Sequence, residues 1–507
     1  MRRGAALLLL LALVACRGNR PAAADDALEL RIHLPAEPAH LNPLLLSDTL
    51  ITQVALGDVY EPLFTLDAHG AIVPVLAEHV EVSPDQAHFT FTLREGVRWH
   101  DGKPFGADDV VYTLRLLAPG GAPAVLAADF DDLRDVHATD KRTVTLDLGG
   151  FRLGRLESLA LVPMLPAHVF AASRPADMLT HPATRAPIGT GPYAFVSWQS
   201  AHDIQLRRAR TWRGPPPAAE RIVYRIVPDR AQALAQLDSG DLHLLLALPA
   251  GPLLDEAAAD QRVTLYPYEF PYYIAARWNC RGNGPLADAR VRRALTMLLD
   301  RPTIVGTILG GRGRVASAPW QPDDAAYDGS VTPWPFDPDA ARALLAEAGV
   351  PRLSVALLVP AGSATLGRVA TIWQEDARRA GITLDVVEDA AVMERARRGD
   401  FEGFAYGWTT GVEQDLYHHF HSSQAGADNY GACADAELDR LLAAVRTTPE
   451  HGARVELEHQ LHRRLHELEL VTVISVDVRT AVASKRLAGV HPGAHGTPAR
   501  ELSLTPP

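Results

Sequence analysis

The segment FTLREGVRWHDGKPF, residues 91–105, decides the predicted fold. It continues an alternation of apolar and polar residues that begins at Phe89, which is typical of a half-buried strand. Asp101-Gly102 is a turn signal, and Asp108 is placed to cap a following helix. We therefore expect a strand, a charged turn and a capped helix, and we assign the segment a structural role instead of ligand contact.

Strand and helix signals alternate on both sides of this segment. Residues 222–227 form a predicted strand, and a helix follows between Asp229 and Gly240. Residues 353–359 and 382–386 are predicted strands around a helix that stops at Gly381, a β-α-β unit that favours parallel pairing. Further predicted helices follow the candidate N-caps Asp288, Asp337 and Asp435. The pattern predicts an α/β protein of roughly three structural units.

Composition narrows the class of protein. A hydrophobic content of 47% is ordinary for a globular chain, and a net charge of −12 argues against nucleic acid as a partner. Two cysteines, Cys280 and Cys433, lie in the main part of the chain. They either form a disulfide, as in exported proteins, or remain two buried thiols.

The first residues predict export. Arg2 and Arg3 precede an apolar run over residues 5–15, which is too short to span a bilayer. Leu13-Val14-Ala15-Cys16 resembles the bacterial lipobox, which implies a signal peptide at 1–15, lipid on Cys16 and a flexible tether at 16–27. The alternative is an ordinary signal peptide cut near Ala15 or Ala24.

Several ordered segments resemble the family-5 extracellular solute-binding proteins, the peptide/nickel-type receptors of ABC importers. The resemblance covers about the whole mature chain. Besides residues 91–110, the matching segments are EPAHLNP at 37–43, VYEPL at 59–63, PIGTGPY at 187–193, DARVRRA at 288–294 with Asp300-Arg301, and Gly407-Trp408.

The family implies a two-lobed clamp of the periplasmic-binding-protein type (type II, cluster C-like), with an extra subdomain in the first lobe. On that basis residues 28–58, 181–271 and 470–507 form the core of lobe I. Residues 59–180 form the extra subdomain, and residues 272–469 form lobe II.

The same resemblance implies a function. We expect an extracytoplasmic lipoprotein, in the periplasm or at the cell surface, that binds a peptide or peptide-like solute between the lobes and delivers it to an ABC permease. The same scaffold carries metal chelates, haem or sugars in other members, and a sensor role is a further alternative. We expect a monomer that needs no cofactor and does not bind nucleic acid.

The resemblance also implies site residues. Trp408 is expected to border the cleft, with Thr409 and Thr410 beside it, and Asp415 is the aspartate available to pair with a peptide ammonium. The loop that faces the cleft and the start of lobe II add the candidates Glu37, His40, Tyr273 and Asn279.

The sequence lacks convincing motifs for metal binding, hydrolysis or nucleotide binding. His418-His419-Phe420-His421 offers imidazoles, but adjacent histidines alone are a weak metal signal, so we predict no metal ligand there. Neither an H-E-x-x-H helix nor a G-x-S-x-G elbow occurs, and none of the three lysines follows the G-K-[ST] pattern of a phosphate loop. We therefore predict that the protein is not an enzyme.

Overall fold

The computed structural model describes residues 29–45, 49–67, 71–122, 124, 126–248, 251–311, 313–409, 415–493 and 497–505. Its strands are β1 (Glu29–Leu34), β2 (Phe64–Leu66), β3 (Ile72–Pro74), β4 (Ala77–Val82), β5 (His88–Leu93), β6 (Asp135–Ala138), β7 (Thr143–Asp147), β8 (Tyr193–Gln199), β9 (Asp203–Arg208), β10 (Arg221–Ile226), β11 (Leu244–Leu248), β12 (Val263–Trp278), β13 (Gly313–Arg314), β14 (Ser354–Pro360), β15 (Thr383–Asp389), β16 (Gly403–Thr409), β17 (Val471–Ser484), β18 (Leu487–Ala488) and β19 (Ser503–Leu504). Its α-helices are α1 (Thr49–Ala55), α2 (Ala107–Arg115), α3 (Arg155–Ala160), α4 (Ala167–Phe170), α5 (Arg230–Ser239), α6 (Pro252–Ala259), α7 (Ala289–Met297), α8 (Arg301–Thr307), α9 (Pro338–Glu347), α10 (Ala364–Arg379), α11 (Val392–Arg398), α12 (Tyr417–Phe420), α13 (Ala436–Thr447) and α14 (His451–Leu468). The predicted mixture of helices and strands is confirmed.

One large sheet runs through the molecule in the order β15-β14-β16-β12-β17-β11-β1-β10-β9-β8. We call β11-β1-β10-β9-β8 the β1 side and β15-β14-β16 the β14 side. On the β1 side, β1 pairs in parallel with β10 and β11. On the β14 side, β14 pairs in parallel with β15 and β16. The antiparallel pair β12–β17 joins the two sides.

The long strands β12 and β17 belong to both sides. Residues 263–269 pair with 478–484, and residues 273–277 pair with 471–476. Ala481 of β17 packs in the hydrophobic core that contains β1, whereas Val473 packs in a core formed with residues of β16. Strand β12 therefore continues across the expected lobe boundary at 271/272, and the division of the chain into lobes stays a prediction.

A second, antiparallel sheet has the order β4-β5-β7-β6. The predicted strand before the charged turn is β5, and the predicted helix is α2. The predicted cap was wrong, because Gly106 is the N-cap and Asp108 is the second residue of the helix. Asp109 reaches back instead: its carboxylate accepts hydrogen bonds from Gly106 N and Trp99 Nε1, both at 3.1 Å. This is the third-residue position of a capping box.

Three segments of the family pattern meet in space. His100 N donates to Gly189 O at 2.9 Å, and its ring binds the backbone of both Gly189 and Gly191. The two glycines lie against residues 58 and 59: a Cβ on Gly191 would lie 2.5 Å from Asp58 O, and one on Gly189 would overlap Val59 O. Glycine is required here because a side chain would prevent this close backbone contact.

Most predicted helix starts are confirmed. A carboxylate accepts a backbone N–H of the first turn at Asp229, Asp288, Asp337 and Asp435. The predicted β-α-β unit is β14-α10-β15, and its strands pair in parallel. Within the described ranges, none of the helices combines the length and the apolar composition needed to cross a bilayer.

Candidate ligand-binding site

A cavity of about 480 Å³ lies where the β1 side and the β14 side meet. We call it the central cavity. The β1 side contributes Pro35, directly after β1, and Leu246 to Leu248 at the end of β11. The β14 side contributes Ser363, Thr365 and Leu366 at the start of α10. Ligand sites of α/β sheets form outside the carboxyl ends of parallel strands, which is the position of this cavity.

The floor of the cavity is an irregular part of the β12–β17 pair. Glu269 pairs with Val478 and Tyr273 with Val476, so the three residues 270–272 lie opposite Asp477 alone. Such a bulge redirects side chains locally. Here Phe270, Tyr272, Asp477 and Arg479 line the cavity.

The side chains of this floor hold one another. Arg479 Nε donates to Asp477 Oδ2 at 2.9 Å, and its guanidinium lies 3.4 Å from the centre of the Phe270 ring. Burial raises the pKa of Asp477, and the hydrogen bond from Arg479 opposes that rise. On the wall, Tyr268 Oη donates to Leu246 O at 2.9 Å. The cavity is thus bounded by aromatic rings and a preformed ion pair.

Gly407 makes room for one of the cavity-lining rings. A Cβ on Gly407 would overlap the Tyr272 hydroxyl and lie 2.8 Å from Tyr272 Cε2. A glycine at position 407 therefore leaves the space that the Tyr272 ring occupies. Thr409 pairs with Tyr272 across the two strands, and Trp408 pairs with Tyr273. Because side chains alternate along a strand, Trp408 and Tyr273 project from the face opposite Tyr272.

The structure places Trp408 in a buried cluster outside the lining of the central cavity. It is 8% exposed, and the Arg277 guanidinium lies 4.5 Å from the centre of its ring. Arg277 also donates to Tyr273 Oη at 3.0 Å, and Tyr273 is 1% exposed. No partner for the indole Nε1 of Trp408 occurs in the described part of the chain.

The other predicted site residues bind neighbouring protein groups. Asp415 Oδ2 lies 2.8 Å from Arg446 Nε, and Asn279 Nδ2 donates to the backbone oxygens of residues 399 and 401. Glu37 accepts hydrogen bonds from Trp198 Nε1 at 2.8 Å and Ser200 Oγ at 2.7 Å. His40 is buried, and its Nδ1 accepts from Asn42 N. Thr410, the Thr409 side chain and Cys16 lie outside the described residues. The ligand roles of all these residues remain predictions.

The residues of the cavity floor are not among those predicted from the sequence, although the sequence carries a signal for them. Aromatic residues alternate at positions 266, 268, 270 and 272, which places them on one face of a strand. Asp477 and Arg479 are charged residues with the same spacing inside the apolar run of β17. Charged residues inside a central strand indicate a site or a paired network.

The two cysteines left open by the sequence form a disulfide. Cys280 follows β12 and Cys433 precedes α13, and their Cα atoms are 4.9 Å apart. The bond links the end of a long strand to the segment that carries Asn429 and Tyr430, both of which are buried.

The histidine tract makes contacts within the protein. His418 Nε2 accepts from Arg446 Nη2 at 3.0 Å, and His421 Nδ1 accepts from Ser423 N at 3.1 Å. Burial lowers the pKa of His419 to about 3. In the ranges that the structure covers, no three His, Cys, Asp or Glu side chains converge as a metal site would require.

The contact between Ser317 and His462 does not have the geometry of a serine nucleophile with its base. Ser317 Oγ lies 2.9 Å from His462 Nε2, and His462 is fully buried. The other ring nitrogen, Nδ1, accepts from Asp328 N, so Nε2 carries the proton and donates it to Ser317. An imidazole in this tautomer cannot act as a base toward the serine.

The comparisons with known proteins identify the family. The family described as bacterial extracellular solute-binding proteins, family 5 (middle) matches residues 71–427. The chain belongs to this family. The oligopeptide-binding protein AppA of Bacillus subtilis is 27% identical over 458 residues, which are 85% of this chain and 83% of that protein. Heme-binding protein A of Haemophilus influenzae is 28% identical over 486 residues, which are 89% of this chain and 88% of that protein.

The fold agrees with this membership. The structure of AppA from Bacillus subtilis in complex with a nonapeptide matches with a TM-score of 0.79 at 24% identity. The match covers 94% of this chain and 99% of that chain. The resemblance read from the sequence segments and the two-lobed α/β class that it implied are therefore confirmed.

Proposed function

We propose that this protein is the extracytoplasmic receptor of an ABC importer and that it binds a peptide or peptide-like solute in the central cavity. The observation that carries the proposal is the position of the cavity, between the β1 side and the β14 side of the sheet, which the β12–β17 pair joins. Its volume of about 480 Å³ lies in the range of small-molecule sites.

The two-sided lining supports a hinged mechanism. Thr365 and Leu366 lie on the β14 side, and Pro35 and Leu246 lie on the β1 side. A solute that contacts both walls binds the closed arrangement better than the open one, so binding shifts the population toward closure. Water is expelled on closure, and the remaining polar contacts are strengthened.

The peptide assignment rests on the named relatives. AppA is an oligopeptide-binding protein and matches most of this chain, whereas another relative binds haem. One scaffold therefore serves different ligands, and the cavity decides between them. We propose that the binding surface continues from Tyr272 to the carboxyl end of β16, where Trp408 and Thr409 lie and Thr410 follows.

Membrane attachment completes the proposal. The segment LVAC at 13–16 supports lipid on Cys16, and residues 16–27 would keep the receptor within reach of its permease. Mass analysis of the mature protein tests this: a lipid-modified Cys16 at the N-terminus is expected. An unmodified Cys16, or a start beyond it, would contradict the anchor.

A cavity-filling variant tests the binding site. Thr365→Trp adds a large ring to the cavity wall, and Thr371→Trp adds the same ring at an exposed position of the same helix. Native mass spectrometry of freshly purified protein should detect a bound small solute in the parent protein and in Thr371→Trp but not in Thr365→Trp. Equal occupancy in both variants would place the ligand elsewhere, and turnover of the solute would indicate an enzyme.

A further inference from the structure

The central cavity carries more positive than negative groups. Arg230, Arg368 and Arg479 line it, whereas Asp477 is the one carboxylate among the described residues of the lining. The chain as a whole has a net charge of −12, so the charge excess in the cavity is opposite in sign to that of the whole chain. A cleft lined with charge of one sign concentrates solutes of the opposite sign.

The arginines differ in their partners. Arg479 is paired with Asp477 at 2.9 Å and stacked on Phe270. Arg230 and Arg368 are exposed, and within the described ranges neither has a carboxylate at ion-pair distance. These two guanidinium groups are therefore available to a ligand.

The carboxylates near the proposed binding surface are already neutralised. Asp477 is paired with Arg479, and Asp415 lies 2.8 Å from Arg446 and accepts a hydrogen bond from Tyr417 N. A ligand ammonium at either carboxylate would lie beside the arginine that already neutralises it, and the two positive charges would repel each other. Among the residues that the structure describes, the cavity thus offers cations to a carboxylate and no free anion to an ammonium.

The two free arginines come from opposite walls. Arg230 is the first residue of α5 on the β1 side, and Arg368 lies near the start of α10 on the β14 side. Like charges on opposing walls repel when the walls approach, and an anion between them removes that repulsion. An anionic solute would therefore favour closure more than a neutral one.

The start of α10 adds to the positive potential. This helix has 16 residues, and the side chain of its N-cap, Ser363, makes no capping hydrogen bond. The partial positive charge of a helix N-terminus favours anions. Glu388 opposes this effect in part, since its Oε1 would lie 3.8 Å from a Cβ on Gly367.

We propose that the central cavity selects small solutes of net negative charge and holds a carboxylate between Arg230 and Arg368. The ligand class is an acidic or N-blocked peptide, or a peptide-like acid, instead of an ordinary zwitterionic peptide. This inference rests on the proposed receptor function and deepens it.

Four pools of one dipeptide library test the charge preference by competition, read out with native mass spectrometry on the full chain. The pools are free dipeptides with neutral side chains, the same dipeptides N-acetylated, the same dipeptides C-amidated, and free dipeptides with one Asp or Glu. The acetylated and acidic pools should bind about tenfold or more tightly than the free neutral pool, since acetylation removes the unpaired ammonium and an acidic side chain adds a charge-assisted hydrogen bond to arginine. The amidated pool should bind weakest. Comparison of the acetylated pool with the acidic pool distinguishes the effect of a missing ammonium from that of an added carboxylate.

Arginine variants assign the effect to the cavity. Arg368→Gln and Arg230→Gln should each reduce the preference for anionic pools about tenfold. Arg352→Gln is the matched control, because Arg352 is exposed and precedes the opposite end of β14, about 20 Å away along the strand. The control should keep the preference.

The outcomes separate the two claims. Binding of free or amidated dipeptides as tight as that of the acetylated ones would overturn the anion inference and leave the receptor function standing. An anion preference that survives both arginine variants would also overturn it. If no pool binds and no solute copurifies, the receptor function fails and the inference fails with it.

Discussion

The contact between Gly407 and Tyr272 allows a quantitative test of the cavity floor. A methyl group on Gly407 would overlap the phenol of Tyr272, so Gly407→Ala forces the ring to move. Overpacking of this kind costs about 1–3 kcal/mol. Gly407 does not have a positive φ, so alanine fits the backbone, and loss of glycine entropy in the unfolded chain returns about 0.4–1 kcal/mol. We expect Gly407→Ala to lower the free energy of unfolding by roughly 0.5–2 kcal/mol.

A double-mutant cycle isolates this contact. In a Tyr272→Ala background the overlap is gone, and Gly407→Ala should become neutral or stabilising by about 0.4–1 kcal/mol. Gly367→Ala is a control beside the same cavity: its Cβ would meet nothing closer than 3.8 Å, and alanine inside α10 should stabilise by about 0.5–1 kcal/mol.

Urea unfolding followed by fluorescence and circular dichroism measures all four proteins of the cycle. Solute affinity should fall in Gly407→Ala as well, because the displaced ring lines the cavity. Equal destabilisation with and without the Tyr272 ring would contradict this assignment, since the cost would then have another origin.

Three further predictions follow from buried groups. The Cys280–Cys433 disulfide spans 153 residues of sequence, so the Cys280→Ser/Cys433→Ser variant should lose up to about 5 kcal/mol by chain entropy; two free thiols in the denatured parent protein would contradict the bond. Burial lowers the pKa of His462 from 6.5 to about 4, so between pH 4 and pH 6.5 the unfolded chain binds more protons than the folded protein. His462 alone should contribute a loss of about 3 kcal/mol in stability as pH drops from 6.5 to 4, and His462→Gln should remove that part of the slope in urea titrations; an unchanged slope would contradict it. Trp408→Phe, which keeps an aromatic ring, should weaken solute binding in calorimetry because the proposed binding surface extends to this indole, and unchanged affinity would remove Trp408 from that surface.

Local signals made most helices predictable. Asp288 and Asp435 are recognisable as caps because the capping hydrogen bond depends on residues only two or three positions away. The predicted cap was wrong at α2, where Asp108 and Asp109 are adjacent. The position of the N-cap Gly106 decides which of the two carboxylates reaches back to the start of the helix.

The cavity depends on contacts that are distant in sequence. Phe270 and Asp477 are about two hundred residues apart, and the bulge between them is set by how β12 and β17 pair. No local pattern fixes that register. The sequence shows the alternating aromatic residues of β12, but it does not show that they form the floor of a cavity.

The hydrogen-bond and ion-pair partners of the predicted polar residues could not be predicted from the sequence either. Asp415 looked available in the sequence, yet Arg446, from α13, lies 2.8 Å from it. Glu37 binds the β8–β9 hairpin through Trp198 and Ser200. A carboxylate without a local partner in the sequence can still be neutralised by a distant element in the fold.

A crystal structure of the protein with its copurified solute would show the binding site directly. We expect one solute in the central cavity, in contact with Tyr272 on the floor and Thr365 on the wall, with a carboxylate between Arg230 and Arg368. A solute bound outside this cavity, without contact to Tyr272 or Thr365, would contradict that expectation.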